Sequence, residues 1–291
     1  MRVGRRGAHR GAGALTVAAM LAAAVMLSGC SAELDPAEAR DSLSVVNEDP
    51  APPKADEIFD AELHPEPLVE ARDCSAVLVI KVRGTGEPMK GQLLSPVARS
   101  IVKSPVEDVA TLDLDYPADT DVKEGGTEGV RLLIDTINVQ SDACPKEKFV
   151  LLGYSQGAMV VGDALAAAEQ RMIGATAGAI TEDAAKQIRA VVMYGDPRFN
   201  GEEPFNEGTF DPELGGIMPR PLGALDDYAD RIIDFCVKGD LVCQATLDVA
   251  QSEKAADKAQ KHHTDYYSNG MQKDGSDFVI DLLNPRVKLT R

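Results

Sequence analysis

The sequence contains no tryptophan, and aromatic residues make up only 4% of its 291 positions. A core must then be packed from Val, Ile, Leu, Ala and Met, with few large aromatic anchors. Positive charge is also in short supply: 30 Lys and Arg stand against 47 Asp and Glu, a formal charge of −17. That deficit excludes a nucleic-acid partner, because phosphate binding needs a basic surface. Histidine is scarcer still, with only His9, His64, His262 and His263. Cysteine occurs five times, at Cys30, Cys74, Cys144, Cys236 and Cys243, never as C-x-x-C. A zinc site is therefore the weaker use for these thiols. What is abundant is apolar residue, 44% of the chain, enough for one large domain or two small ones.

Arg2, Arg5, Arg6 and Arg10 precede an apolar run from Ala14 to Leu27, with no acidic residue before Glu33. This is the charged and apolar pattern of a signal peptide over residues 1–29, too short to span a membrane comfortably. The run ends Leu27-Ser28-Gly29-Cys30, which resembles the lipobox of bacterial lipoproteins. The resemblance implies cleavage before Cys30 and lipidation of its sulfur, and more than one acyl chain would hold the protein to a membrane. An extracytoplasmic, membrane-anchored location follows as the expectation. Lipidation of Cys30 would also leave four cysteines for two bridges in an oxidising compartment. Cys236 and Cys243 read as one close pair, leaving Cys74 with Cys144, although three connectivities are formally possible.

Residues 30–72 are expected to form an acidic, Pro-rich tether. The stretch 31–73 holds thirteen Asp or Glu, three Lys or Arg and six Pro, with no sustained hydrophobic period. Such composition cannot offset its ordering entropy by burial, and His64 reads as a solvated residue within it. From residue 73 to 291 short apolar runs alternate with helical patterns. Strands are expected at Ser75–Val82, Asp108–Tyr116, Lys148–Gly153, Ala190–Tyr194 and Arg231–Phe235. Helices are expected over Thr127–Gln140, from Ser155 to about Gln170, over Thr181–Arg189 and within Gly275–Leu283. Continuous apolar strands between helices predict one α/β domain with a five-stranded parallel sheet covered on both faces.

Gly153-Tyr154-Ser155-Gln156-Gly157 falls where a strand ends and a helix begins, the context of a nucleophile elbow. A serine needs a base to take its proton. Only His262 and His263 lie in the expected domain, so the base is one of these two. The carboxylate that orients it is Asp240, inside Cys236-Val-Lys-Gly-Asp240-Leu-Val-Cys243, where a small disulfide ring would hold the loop. Asp196, before Pro197, competes but reads as turn chemistry. The order Ser155, Asp240, His263 is that of α/β-hydrolases.

Together these residues resemble the cutinase family of serine esterases. The likeness is carried by Gly-Tyr-Ser155-Gln-Gly, Asp240-Leu-Val-Cys243, His263-x-x-Tyr266, Cys144 eleven residues before Ser155, and Arg83-Gly84-Thr85-Gly86-Glu87. The last is a form similar to actinobacterial members, and the resemblance spans about residues 74–285. It implies an α/β-hydrolase fold, Ser155 as nucleophile, His263 as base because it aligns with Tyr266, and Asp240 as its partner. It further implies an oxyanion hole from the backbone N–H groups of Gln156 and Thr85, with the Thr85 hydroxyl. Tyr266 is expected to pack and position that loop, and neither metal nor cofactor is required.

The segment Gln244–Lys261 is longer than the family pattern and suggests an inserted helix, either a flap over the site or a solvated surface helix with an Ala face. The activity expected is hydrolysis of acyl lipid or lipid-like esters by a monomer. Acyl transfer or thioester cleavage through the same acyl-enzyme is the alternative. A non-catalytic envelope lipoprotein is the third possibility.

Overall fold

Six parallel strands form the sheet of the computed structural model, which describes residues 53–246 and 252–284. The expected signal peptide, Cys30 and residues 30–52 of the expected tether lie outside those residues. The strands are β1 (Val77–Val82), β2 (Val109–Asp113), β3 (Lys148–Tyr154), β4 (Ile188–Tyr194), β5 (Asn206–Gly208) and β6 (Ile232–Cys236). Their order is β2-β1-β3-β4-β6-β5. The expectation of five strands is corrected to six. The sixth, β5, is an edge strand of Asn-Glu-Gly that is at least partly solvent-facing and carries no apolar signal.

β1, β3 and β4 are buried along nearly their whole length, which is why they read as unbroken apolar runs. Their side chains alternate between two cores. Leu78, Ile80 and Val82 face one, beneath α3 (Val122–Ala143) and α4 (Gln156–Leu165); Val77 and Val79 face the other, beneath α2 (Leu94–Val102) and α7 (Met271–Leu283). The α3 helix begins at Asp121, whose carboxylate accepts the Glu124 N–H at 3.2 Å. Two further helices among the described residues are α5 (Glu182–Gln187) and α6 (Glu253–Thr264).

The chain turns from β1 to β2 on one side and then to β3 on the other. The carboxyl ends of β1 and β3 therefore flank the topological switch point, where sheets of this kind form their crevice.

Residues 53–72 keep most of their side chains exposed, as a tether would, but they are not detached from the domain. A short helix, α1 (Pro53–Ile58), buries Ala55 completely, and the chain after it is held by polar side chains of α3. The Arg131 guanidinium, itself 1% exposed, donates to the carbonyls of His64 and Glu66 at 2.9 and 3.0 Å. Asp135 accepts the Leu68 N–H and Gln140 the Arg72 N–H, both at 2.9 Å. A hydrophobic period would not reveal this attachment, because the contacts are made by backbone groups. The His64 side chain is exposed, as expected.

Both expected disulfides are present, Cys74–Cys144 and Cys236–Cys243. They occupy all four cysteines of the described residues and remove the zinc alternative for them.

Candidate active site

Ser155 follows β3 directly and precedes α4, with φ 53° and ψ −122°. An L-residue adopts that conformation only where the surroundings impose it. The two flanking glycines show why. A Cβ on Gly157 would lie 1.9 Å from the Val82 carbonyl oxygen, and one on Gly153 would lie 2.7 Å from the Ala158 Cα. Strand, turn and helix pack backbone to backbone here. Ser155 occupies the N-cap position of α4 yet makes no side-chain cap. Its hydroxyl turns the other way and lies 2.9 Å from His263 Nε2.

His263 sits in the last turn of α6, and its Nδ1 lies 2.9 and 3.0 Å from the two carboxylate oxygens of Asp240. The expected inserted helix is thus the element that carries the imidazole. Its outer face is solvated, while Ala259 and His263 are buried. Asp240 lies in the loop after β6 closed by Cys236–Cys243. Its Oδ1 accepts the N–H groups of Val242 (2.6 Å) and Cys243 (3.2 Å), and its Oδ2 accepts the Tyr266 hydroxyl at 2.8 Å. Burial alone would raise the Asp240 pKa. The charge and hydrogen bond of His263, with those from Val242 and Tyr266, outweigh it and hold the carboxyl below its ordinary value. The Tyr266 phenol is pushed well above its usual range, first by burial and then by the Asp240 charge, so it stays a donor.

The structure therefore brings Ser155, His263 and Asp240 into one hydrogen-bonded line and leaves the competitors outside it. His262 points to Asp265, Nδ1 to Oδ2 at 3.0 Å. Asp196 is engaged by Arg220 at 2.9 Å and by the Arg198 N–H at 2.9 Å. Thr85 and Gln156 also meet, the Thr85 hydroxyl donating to Gln156 Oε1 at 2.9 Å.

Three residues of Arg83-Gly84-Thr85-Gly86-Glu87 have a local structural cause. Arg83 is buried and donates to the carbonyls of Leu114, Tyr116 and Pro117, while the Tyr116 hydroxyl donates back to the Arg83 carbonyl at 2.6 Å. At Gly84 a Cβ would lie 2.8 Å from the Tyr154 ring. Gly86 has φ 72°, and its N–H reaches the Ala118 carbonyl at 2.7 Å.

Two residues that position the imidazole were missed by the sequence reading. Tyr154 stacks on it, with ring centroids 5.1 Å apart, and its hydroxyl donates to the His263 carbonyl at 2.8 Å. Gly195, at φ 58°, lies so close that a Cβ would come within 2.8 Å of His263 Cε1. The signals were present, since Tyr154 lies inside the elbow motif and Gly195 precedes Asp196. Neither residue type announces a contact with a histidine so far along the chain.

A parallel sheet with helices on both faces, and a serine at a strained strand–helix turn, define an α/β-hydrolase fold. Residues 73–283 match the family model named Cutinase. The chain belongs to the cutinase family. A cutinase of Kineococcus radiotolerans is 30% identical over 217 residues, covering 73% of this chain and 63% of that protein. Acetylxylan esterase 2 of Talaromyces purpureogenus is 27% identical, covering 61% of this chain and 79% of that protein. The catalytic core domain of acetyl xylan esterase from Trichoderma reesei shares the fold, with a TM-score of 0.59 at 23% identity, covering 72% of this chain and all of that one. Against several of its relatives, the chain spans only 60–63% of their length.

Proposed function

We propose that this protein hydrolyses carboxylic esters through an acyl-enzyme on Ser155. The observation that carries this reading is the unbroken line from Ser155 Oγ through His263 to Asp240, over distances of 2.9 to 3.0 Å. Oγ attacks the ester carbonyl carbon while His263 Nε2 takes its proton, and the carbonyl π electrons move onto oxygen. Asp240 fixes the tautomer with the proton on Nδ1 and stabilises the imidazolium. Collapse of the tetrahedral intermediate breaks the bond to the alkoxy group, which receives the proton from Nε2. Water, activated by the same imidazole, then releases the acid.

The developing oxyanion would be held by the N–H of Gln156, which opens α4 and has no intrahelical partner, and by the N–H of Thr85. The Thr85 hydroxyl, now given to Gln156 Oε1, would turn to the same oxygen. The relatives named cutinase and acetylxylan esterase support an ester as substrate. Acyl lipids or lipid-like esters outside the cytoplasm are the substrates we infer. That inference joins the two disulfides to the expected signal peptide and lipidated Cys30.

A fluorophosphonate probe tests the nucleophile. The purified chain is expected to label, and Ser155→Ala or His263→Ala to abolish labelling and p-nitrophenyl ester turnover, a loss of about 10⁴-fold or more. His262→Ala should keep both. Labelling that survives Ser155→Ala would end the esterase proposal. Turnover that rises with added alcohol acceptors would shift it toward acyl transfer.

A further inference from the structure

The elbow and the imidazole account for Ser155, His263 and Asp240, but not for how the Thr85 loop is kept in register with the histidine. Glu87 closes Arg83-Gly84-Thr85-Gly86-Glu87 and pairs with no basic side chain among the described residues. Its carboxylate instead accepts three hydrogen bonds from three different segments. Oε2 takes the Gly84 N–H at 2.8 Å, next to Thr85. Oε1 takes the N–H of Leu93, which opens α2, at 2.8 Å. Oε1 also takes the hydroxyl of Tyr267 at 2.7 Å.

Tyr267 belongs to the single turn Asp265–Tyr267 that follows α6, so it is joined directly to the helix end that carries His263. The Gln272 side-chain N–H, in the first turn of α7, reaches the Leu93 carbonyl at 2.7 Å and ties α7 to the start of α2 beside this contact. Burial, the Glu87 charge and the hydrogen bond to Glu87 all push the Tyr267 phenol upward, which keeps it a donor.

We propose that Glu87 is a positioning residue for ester cleavage, coupling the Thr85 loop to the histidine-bearing turn through Tyr267. The proposal rests on the esterase reading of Ser155. A carboxylate is the group the place requires, because all three partners are donors and an ionised carboxyl only accepts. A glutamine can keep two of them on its carbonyl oxygen, but its amide NH₂ then faces the third N–H. The Thr85 loop or the His263 turn must yield. A shift of about 1 Å in such a group costs on the order of 10²-fold in rate.

The test measures p-nitrophenyl butyrate turnover per reactive serine, counted by fluorophosphonate titration, for the full chain and for Glu87→Gln, Tyr267→Phe and the double variant. Glu87→Gln is expected to lower kcat about 10- to 100-fold with KM within about threefold. Tyr267→Phe, which loses one bond to a charged acceptor, is expected to lower kcat about fivefold. The double variant should be no slower than Glu87→Gln within about twofold, because Tyr267 acts through Glu87. Unchanged kcat in Glu87→Gln, or losses that multiply in the double variant, would overturn the proposal. If Glu87→Gln does not fold, Tyr267→Phe decides alone, and an unaltered kcat there overturns the coupling. A wild-type chain that neither labels nor turns over ester would overturn the esterase reading as well. Active wild type with unaffected variants would overturn this proposal only.

Discussion

Ser155 and His263 are held in opposite ways. Ser155 is fixed by backbone: a strand, a turn at φ 53° and a helix, with Gly153 and Gly157 allowing main chain to approach main chain. His263 comes at the end of a helix whose outer face is solvated, and it is fixed by side chains. Tyr154 stacks on it, Asp240 and Tyr266 form a chain behind it, and Gly195 leaves room at its edge. Local geometry tolerates little change in the first case. In the second, the same precision depends on contacts made across the fold, and single side chains can upset it.

The sharpest way to break that balance is Gly195→Ala. The new methyl would enter the imidazole at Cε1, at a backbone φ of 58° that disfavours any side chain. We expect kcat to fall about 10²-fold or more, with about 1–3 kcal/mol of stability lost to the strained backbone. The elbow should be untouched, as a crystal structure of the variant would show by an unmoved Ser155. Retained turnover would mean that the imidazole does not need this edge.

This contrast also explains what could be read along the chain. The elbow was legible because Gly-Tyr-Ser-Gln-Gly records a local requirement, and the chain order of Ser155, Asp240 and His263 narrowed the rest. The imidazole's supports were not legible. Tyr154 and Gly195 meet His263 only when β3, β4 and α6 come together, and no periodicity encodes that meeting. The same limit hid the attachment of residues 53–72, which hangs on Arg131, Asp135 and Gln140 binding backbone groups. It also hid β5, three residues of Asn-Glu-Gly at the sheet edge. Apolar patterns report burial of side chains and are silent about polar anchoring.

The disulfides offer a second cut through the comparison. Cys74–Cys144 spans 70 residues and ties the start of the domain to the end of α3, away from the imidazole; Cys236–Cys243 spans 7 and encloses Asp240. Chain entropy assigns about 4 kcal/mol to the long loop and about 2.5 to the short one. Replacing each pair by alanine should therefore separate stability from activity. Loss of Cys74–Cys144 is expected to give the larger fall in unfolding free energy with kcat nearly unchanged. Loss of Cys236–Cys243 is expected to give the smaller fall with kcat lowered about tenfold or more, as Asp240 loses its frame. Denaturant titration and p-nitrophenyl ester kinetics on both variants would show it. Equal effects on kcat would remove the distinction between a scaffold bridge and a site bridge.

The finest test sets strain against charge. Ser155→Gly and Ser155→Ala both remove the hydroxyl, so their difference in stability isolates the backbone strain at φ 53°. Glycine should be the more stable by about 1 kcal/mol, after its greater freedom in the unfolded chain is counted. That difference should not change with pH, because neither residue titrates. Asp240 behaves otherwise. Its folded pKa lies below the 3.8 of the unfolded chain, because the charge and hydrogen bond of His263, with the Val242 and Tyr266 bonds, outweigh burial. A carboxyl so depressed adds stability that is complete above pH 3.8 and is lost as pH falls through the folded value. Asp240→Asn removes that contribution, so the gap between wild type and variant should be widest near neutrality and should narrow on acidification below 3.8. Urea unfolding at a series of pH values measures both quantities on one axis. A pH-independent gap for Asp240→Asn would place the imidazole side, like the elbow, under geometric control alone, and the contrast between the two halves of the site would fail.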